Sequence, residues 1–420
     1  MSPTWSISGA SLPRLAPGCG RTVVTSADGS DKVRAAVSSS LSQRLQASLA
    51  RALGVSRVAR ITGLDRTGVE VACAVRPGGH VLQVCNGKGP RWEEAAAGAL
   101  LETAELWAAE RVRPEQLVWG SEAELEAAGL EAWPAPELGS AGGAPVARLW
   151  SRDVRLAWRE ASELHTGRPV LLPAQAVHCP PAGTPPLGPL SMAWTSNGSG
   201  AHPERARALL HALLEATERD QLSRTLPEGW TEEAIAERLL RPASLSTHAP
   251  RVAALVQRLE AAGFRAHLFD LSPPARTPGA VRLPVAGALL VDEEEGPVPL
   301  TAGYACALGR EGSLLRALLE AAQSRLTDIH GAREDIAAAD REAARALAQA
   351  CAQARARAEV RGMPELALKR EDPAAAVKGV LARLRAAGFE EVAALSLDAP
   401  VEGLSVVRVV VPGMQVSELL

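Results

Sequence analysis

The chain has 420 residues, 47% of them hydrophobic and 22% charged, which is enough apolar side chain to bury a large core in one big domain or two ordinary ones. A formal net charge of −3, a pI near 6.3 and the lack of any basic run exclude a general attraction to nucleic acid or anionic membrane. No segment approaches the roughly 20 uninterrupted apolar residues of a membrane span, and Met1-Ser2-Pro3-Thr4-Trp5 lacks a charged stretch leading into an apolar core, so a cytoplasmic protein is expected.

Residues 1 to about 30, rich in Ser, Pro and Gly, read as an irregular lead-in, and Val33 to Leu53 has helical spacing. Residues 68 to 77 alternate as a strand ended by Pro77, with Val81 to Val84 as its hairpin partner across Pro77-Gly78-Gly79. This hairpin delivers Cys85-Asn86-Gly87-Lys88-Gly89, read as a turn, into a helix over 92 to 112. Residues 113 to 145, broken by Pro114, Pro134, Pro136 and Gly142-Gly143, read as a surface excursion. The prolines from Pro173 through Pro189 approach a second turn, Ser196-Asn197-Gly198, and a second helix over 204 to about 223. Strands are predicted at 264 to 270 and 286 to 291, with Asp292-Glu293-Glu294-Glu295-Gly296 as a solvated loop. Helices at 312 to 327, 334 to 361 and 373 to 387 and a strand at 404 to 411 complete a mixed α and β layout.

The two Asn-Gly segments repeat one design, because each leads into an apolar helix with two glutamates three residues apart: Glu102 and Glu105, then Glu215 and Glu218 followed by Arg219. Residues three apart share a helix face, so each pair can aim both carboxylates into one cleft. A single such pair is ordinarily a solvated surface pair. Here the neighbours are Ala99-Leu100-Leu101, Leu106-Trp107-Ala108 and Leu209 to Leu214, which are not those of a wet face. Four unpaired carboxylates in a cleft would repel one another, whereas Mg²⁺ bridging to a polyphosphate would neutralise them. Lys88, one of only four lysines with Lys32, Lys369 and Lys378, adds a compact positive charge beside glycines that let backbone N–H groups approach phosphate.

In the predicted third helix Arg316, Glu320 and Gln323 fall at i, i+4 and i+7; alone, Arg316 and Glu320 read as an exposed ion pair. No G-x-x-x-x-G-K-[ST] loop, strand-linked G-x-G-x-x-G, H-E-x-x-H or G-x-S-x-G occurs. The six cysteines, Cys19, Cys73, Cys85, Cys179, Cys306 and Cys351, form no C-x-x-C pair, which argues for a reducing compartment and against structural zinc. Cys85 has no base close in sequence and reads as a small buried hydrophobe.

Several blocks together resemble the YcaO family from about residue 60 to 413. They are Gly63-Leu64-Asp65-Arg66-Thr67-Gly68-Val69, the Asn86 to Gly89 segment with Glu102 and Glu105, and Ser196-Asn197-Gly198 with Glu215, Glu218, Arg219 and Asp220. Leu315 to Thr327, Gly331-Ala332-Arg333-Glu334-Asp335 and Val409-Val410-Val411-Pro412-Gly413 follow. The resemblance implies an α+β YcaO-like fold, with mixed sheets and helices carrying Glu-x-x-Glu pairs around a central Mg-nucleotide cleft. Its domain plan is an N-terminal variable segment and helix over 1–58, a YcaO-like domain over 59–415 and a short tail over 416–420.

The activity implied is ATP- and Mg²⁺-dependent O-phosphorylation of a peptide or protein backbone amide followed by nucleophile addition. A Cys, Ser or Thr side chain as nucleophile gives an azoline; an external sulfur donor gives a thioamide. By similarity Glu102, Glu105, Glu215 and Glu218 hold Mg²⁺, and Arg219 and Arg316 are the catalytic arginines. Lys88, Ser196, Asn197, Glu215, Glu218, Arg219, Arg316 and Glu320 line the nucleotide. Implied partners are a peptide substrate, a TfuA-like or leader-peptide-binding protein, and a second copy in a homodimer.

Departures from the family pattern separate two readings. Pro203 and Arg207 stand where an Asn and a Glu are usual, Leu106 where an Arg is usual, and Lys32 is the one counterpart of an amino-terminal Lys; His202 or Glu204 are candidate substitutes. A degenerate, non-catalytic peptide- or partner-binding module is the alternative to an enzyme. The ending Val416-Ser417-Glu418-Leu419-Leu420 lacks the alternating prolines of azoline-forming members, which favours thioamidation.

Overall fold

A computed structural model of the chain describes residues 41–138, 150–184, 186–294, 296–332, 341–368 and 372–417. Lys32, the first part of the helix predicted from Val33, Arg333-Glu334-Asp335 and residues 418–420 lie outside them. In chain order the strands and the helices longer than two turns are α1 (Gln43–Leu53), β1 (Arg57–Arg60), β2 (Glu70–Val75), β3 (Val84–Gly89), α2 (Trp92–Ala109), β4 (Leu117–Gly120), β5 (Leu156–Glu163), β6 (Pro169–Pro173), β7 (Ser199–His202), α3 (Arg205–Thr225), α4 (Pro250–Ala261), β8 (Phe264–Asp270), β9 (Val285–Asp292), β10 (Leu300–Cys306), α5 (Arg310–His330), α6 (Arg341–Gln353), α7 (Pro373–Ala386), β11 (Ala393–Leu397) and β12 (Ser405–Val410). No helix among the described residues is long and apolar enough to cross a membrane.

Among the described residues the strands form three antiparallel sheets: β1-β2-β3, β10-β9-β8, and a larger sheet of order β4-β5-β11-β12-β7 with β6 also paired to β5. Strand alternation decides which helix each face meets. In β12, Val406 and Val410 pack into the core that holds α1 and α2, while Val407 and Val409 pack into the core of α3 and α7. Each such buried Val stabilises the fold by about 1.5–3 kcal/mol. A third core joins β8, β9 and β10 to α4 and α5. Ser42 caps α1 by accepting from Leu45 N–H at 3.3 Å, and Gly331, at φ 60°, ends α5 in the left-handed conformation that only glycine adopts cheaply.

Several local expectations change. Asn86-Gly87 lies inside β3 and is not a turn; the register pairs Cys73 with Asn86 and Val75 with Val84, so the hairpin partner of β2 is 84–89. The excursion predicted after Pro114 contributes β4 to the large sheet. Asp292 ends β9, buried, where Arg66 and Arg325 bind it; Arg325 also holds Asp65 at 2.8 Å. That network ties the 65–66 segment to α5. Helix α6 stops at Gln353, short of the predicted 361.

Candidate active site

Two strand–helix units, β3 with α2 and β7 with α3, share one geometry. A Cβ on Gly87 would overlap the backbone of Ala95 and Ala99, and one on Gly200 would overlap the backbone of Ala208 and crowd Ala212. From Gly87 the sequence reaches Ala95, Ala99, Glu102 and Glu105; from Gly200 it reaches Ala208, Ala212, Glu215 and Glu218. The offsets are identical, 8, 12, 15 and 18 residues. Glycine and alanine let each helix lie directly on its strand, and the same register then presents both glutamates. The structural counterpart of Asn86-Gly87 is therefore Ser199-Gly200, while Asn197-Gly198 is the true turn before β7, with Gly198 at φ 81°. A third contact of this kind sets Gly303 of β10 against Ala317 and Ala321 of α5, the helix that carries Glu320.

Backbone N–H groups of these strands orient the acids. Asn86 N–H donates to Glu102 Oε2 at 3.1 Å, Ala201 N–H to Glu105 Oε1 at 2.7 Å and Cys306 N–H to Glu218 Oε2 at 2.8 Å. Lys88 Nζ donates to Glu320 Oε2 at 2.8 Å, so Glu320 pairs across elements with Lys88 and not with Arg316 along its own helix.

The carboxylates feel one another. Burial raises the Glu105 carboxyl well above its ordinary range, with the charges of Glu215 and Glu102 adding to it against the Ala201 N–H. Burial also pushes Glu215 up to about 8, with Glu218 and Glu102 raising it and Arg219 and Arg408 opposing. Glu218 reaches about 7 through burial and then Glu320, opposed by Arg219, the Cys306 N–H and Lys88. The four predicted acids thus lie within electrostatic reach of one another, Glu102 and Glu105 of Glu215 and Glu215 of Glu218, each with partial solvent access. Arg219 lies in the field of Glu218, Glu215 and Glu320, yet its guanidinium makes no hydrogen bond among the described residues. Arg316 is exposed and makes none either.

These residues fit divalent ions with a polyphosphate. Glu215 repels both Glu105 and Glu218, none of the three bonds a cation among the described residues, and Asn86 Oδ1 is buried without a partner, its Nδ2 donating to Thr327 Oγ1 at 2.7 Å. No three His, Cys, Asp or Glu side chains among the described residues form a metal-sized cage. Mg²⁺ commonly takes only one or two carboxylates and completes its shell with phosphate and water.

The other predicted residues divide. Ser196 is exposed at the turn, and Asn197 lines a small cavity with Ala216 and Arg408; neither side chain hydrogen-bonds the four acids. Arg207 pairs with Glu204 at 3.0 Å, and Glu204 N–H donates to His202 Nδ1 at 2.9 Å, so the altered Arg207 and the two candidate substitutes are linked at the start of α3. Sequence reasoning missed Arg408, a buried cation on β12 that donates to Ser199 Oγ at 3.1 Å and is lowered to about 10, mainly by burial. The Val-rich strand around it was legible, but its register opposite Ser199 was not. His211 was also missed, although its place four residues before Glu215 puts it on the carboxylate face of α3. Asp220, next to Arg219, accepts from Gln415 N–H at 2.9 Å and from Arg224, tying the segment after β12 to α3.

The family model described as "YcaO cyclodehydratase, ATP-ad Mg2+-binding" matches residues 86–415. The chain belongs to the YcaO family. An uncharacterized protein of Methanothermobacter thermautotrophicus is 32% identical over 378 residues, covering 87% of this chain and 90% of that protein. An "uncharacterized protein in tfuA 3'region" of Rhizobium leguminosarum bv. trifolii is 28% identical, covering 87% and 85% of the two chains. The solved structure of YcaO from Methanopyrus kandleri bound with AMPPCP and Mg²⁺ superposes with a TM-score of 0.64 at 26% identity, covering 88% of each chain. A heterocyclase in complex with substrate and cofactor shares the fold, with a TM-score of 0.66 at 19% identity over 88% of this chain and 52% of that one. The mixed α+β architecture expected of a YcaO protein is thus the one observed.

Proposed function

We propose that this YcaO protein uses ATP to phosphorylate a backbone amide oxygen of a peptide or protein, and that an external sulfur donor then replaces that oxygen to give a thioamide. The mutual electrostatic reach of Glu102, Glu105, Glu215 and Glu218, with Arg219 in their field and making no side-chain hydrogen bond among the described residues, supports this reading. An amide oxygen is a poor leaving group, and phosphoryl transfer is catalysed mainly by positioning and charge neutralisation. The four glutamates are the residues to hold Mg²⁺, which when bound supplies positive charge to the transferring phosphoryl group. Arg219 and Arg316 meet phosphate oxygens, and Lys88, braced by Glu320, adds a third cation. Glu320 and Lys88, with Asn197 and Ser196 at the preceding turn, complete the nucleotide wall.

In the reaction the amide oxygen attacks the γ-phosphorus and ADP departs. Hydrosulfide then adds to the amide carbon, and the C–O bond breaks with its electron pair leaving on phosphate, which also takes the sulfur's proton. Sulfur delivery by a TfuA-like partner is supported by the relative in a tfuA 3' region; a second copy in a homodimer and a cytoplasmic setting complete the proposal.

The test is mass spectrometry of candidate peptides from neighbouring genes, incubated with the protein, partner, sulfide and Mg·ATP. Replacement of one oxygen by sulfur supports thioamidation, and loss of one water from a Cys-containing peptide reassigns the product to an azoline. The non-catalytic reading, motivated by Pro203 and Arg207, predicts no Mg·ATP binding by calorimetry; binding abolished by Glu218→Ala supports the enzyme.

A further inference from the structure

His211 sits on α3 one turn before Glu215, on the face that carries Glu215 and Glu218, and part of its surface reaches solvent although protein atoms crowd round the ring. An exposed histidine is ordinarily just solvated. This one lies within electrostatic reach of positive or donor groups from three other elements: Arg316 of α5, Lys88 of β3 and His202 of β7. Glu215 is the acid one turn along on its own helix, and Glu320 is committed to Lys88. The imidazole makes no hydrogen bond among the described residues. His202 has its Nδ1 occupied by the Glu204 N–H, which leaves Nε2 as its donor. Four groups able to donate to an anion are thus near one another beside the acids, with a single carboxylate, Glu320, bonded to one of them, Lys88.

We propose that His211 is a further contact to the bound nucleotide, donating an imidazole hydrogen bond to a polyphosphate oxygen at the cleft wall formed by Lys88, His202 and Arg316. The inference rests on the nucleotide reading above. Without the anion, crowding in the cleft and the charges of Arg316 and Lys88 keep the imidazole neutral, its pKa lowered. A polyphosphate inverts that field and favours the imidazolium, whose charge-assisted bond is the stronger one.

The experiment is calorimetric titration of Mg·ATP into the full chain, His211→Ala and His211→Gln at about pH 6 and about pH 8, with melting temperatures recorded alongside. His211→Ala should weaken binding by about tenfold to a hundredfold, the worth of one hydrogen bond to a charged group. The wild-type to Ala ratio should be larger at the lower pH, His211→Gln should recover part of the loss, and the melting temperature should not move. Equal affinities of wild type and His211→Ala at both pH values overturn the inference, as does a pH-independent loss accompanied by a lower melting temperature. In either case, wild-type binding that Glu218→Ala abolishes leaves the nucleotide reading intact. No Mg·ATP binding by the wild type overturns both.

Discussion

Glu218→Gln tests whether the cleft is a cluster of anions built to receive cations. In the folded chain the Glu218 carboxyl titrates near 7, raised by burial and then by Glu320, whereas a glutamate in an unfolded chain titrates at roughly 4.3. A raised folded value means that the native protein keeps a proton which the unfolded chain has released. The resulting cost is absent below the unfolded value, grows as pH climbs through that window, and is complete above about 7. At about 1.4 kcal/mol per pH unit the span of about 2.7 units is worth about 4 kcal/mol, and partial exposure at the cleft reduces it to ~2 kcal/mol. Glutamine has the same shape and can still accept from the Cys306 N–H, so Glu218→Gln should raise the melting temperature of the ligand-free protein by a few degrees near pH 8 and leave it unchanged near pH 4. The same change removes an ion-holding oxygen, so the rise in melting temperature that Mg·ATP gives the wild type should vanish. Scanning calorimetry at both pH values, with and without Mg·ATP, reads all of this. A lower melting temperature for Glu218→Gln near pH 8, or an equal rise at both pH values, refutes the reasoning.

Gly200→Ala should cost about 1–3 kcal/mol because its methyl overlaps the Ala208 backbone, while Gly63→Ala, where a Cβ meets nothing, should stay within about 0.5 kcal/mol; urea melts compare the two. Arg325→Met leaves the buried Asp65 and Asp292 short of a cation and should destabilise by about 3–5 kcal/mol, read from the same melts. Lys88→Met, which removes a partly exposed pair, should change stability by less than about 1 kcal/mol yet weaken Mg·ATP binding by about tenfold or more; unaltered calorimetric affinity counts against the nucleotide wall.

The predicted helices reappear as α2, α3, α5 and α7 within a few residues, because an amphipathic or apolar helix is written in its own local spacing. The paired acids at 102 and 105, and at 215 and 218, needed only the helical period to be placed on a common face. Their neighbours, Ala and Leu, already indicated that this face was not a wet one.

What local spacing could not supply was the partner of each side chain. Asn86-Gly87 was read as a turn because the dipeptide favours one, but pairing with β2 and close packing on α2 hold it extended. Asp292 looked solvated in its acidic run until Arg66 and Arg325, far away in sequence, were brought to it. Glu320 was assigned by helical spacing to Arg316, yet the lysine on β3 claims it. The amino-acid order by itself determined which residues share a helix face and that two such faces are acidic. Only the tertiary structure decided that those faces meet, since the cost of gathering like charges is set by distances between helices more than a hundred residues apart and by the strand N–H groups that hold the acids there.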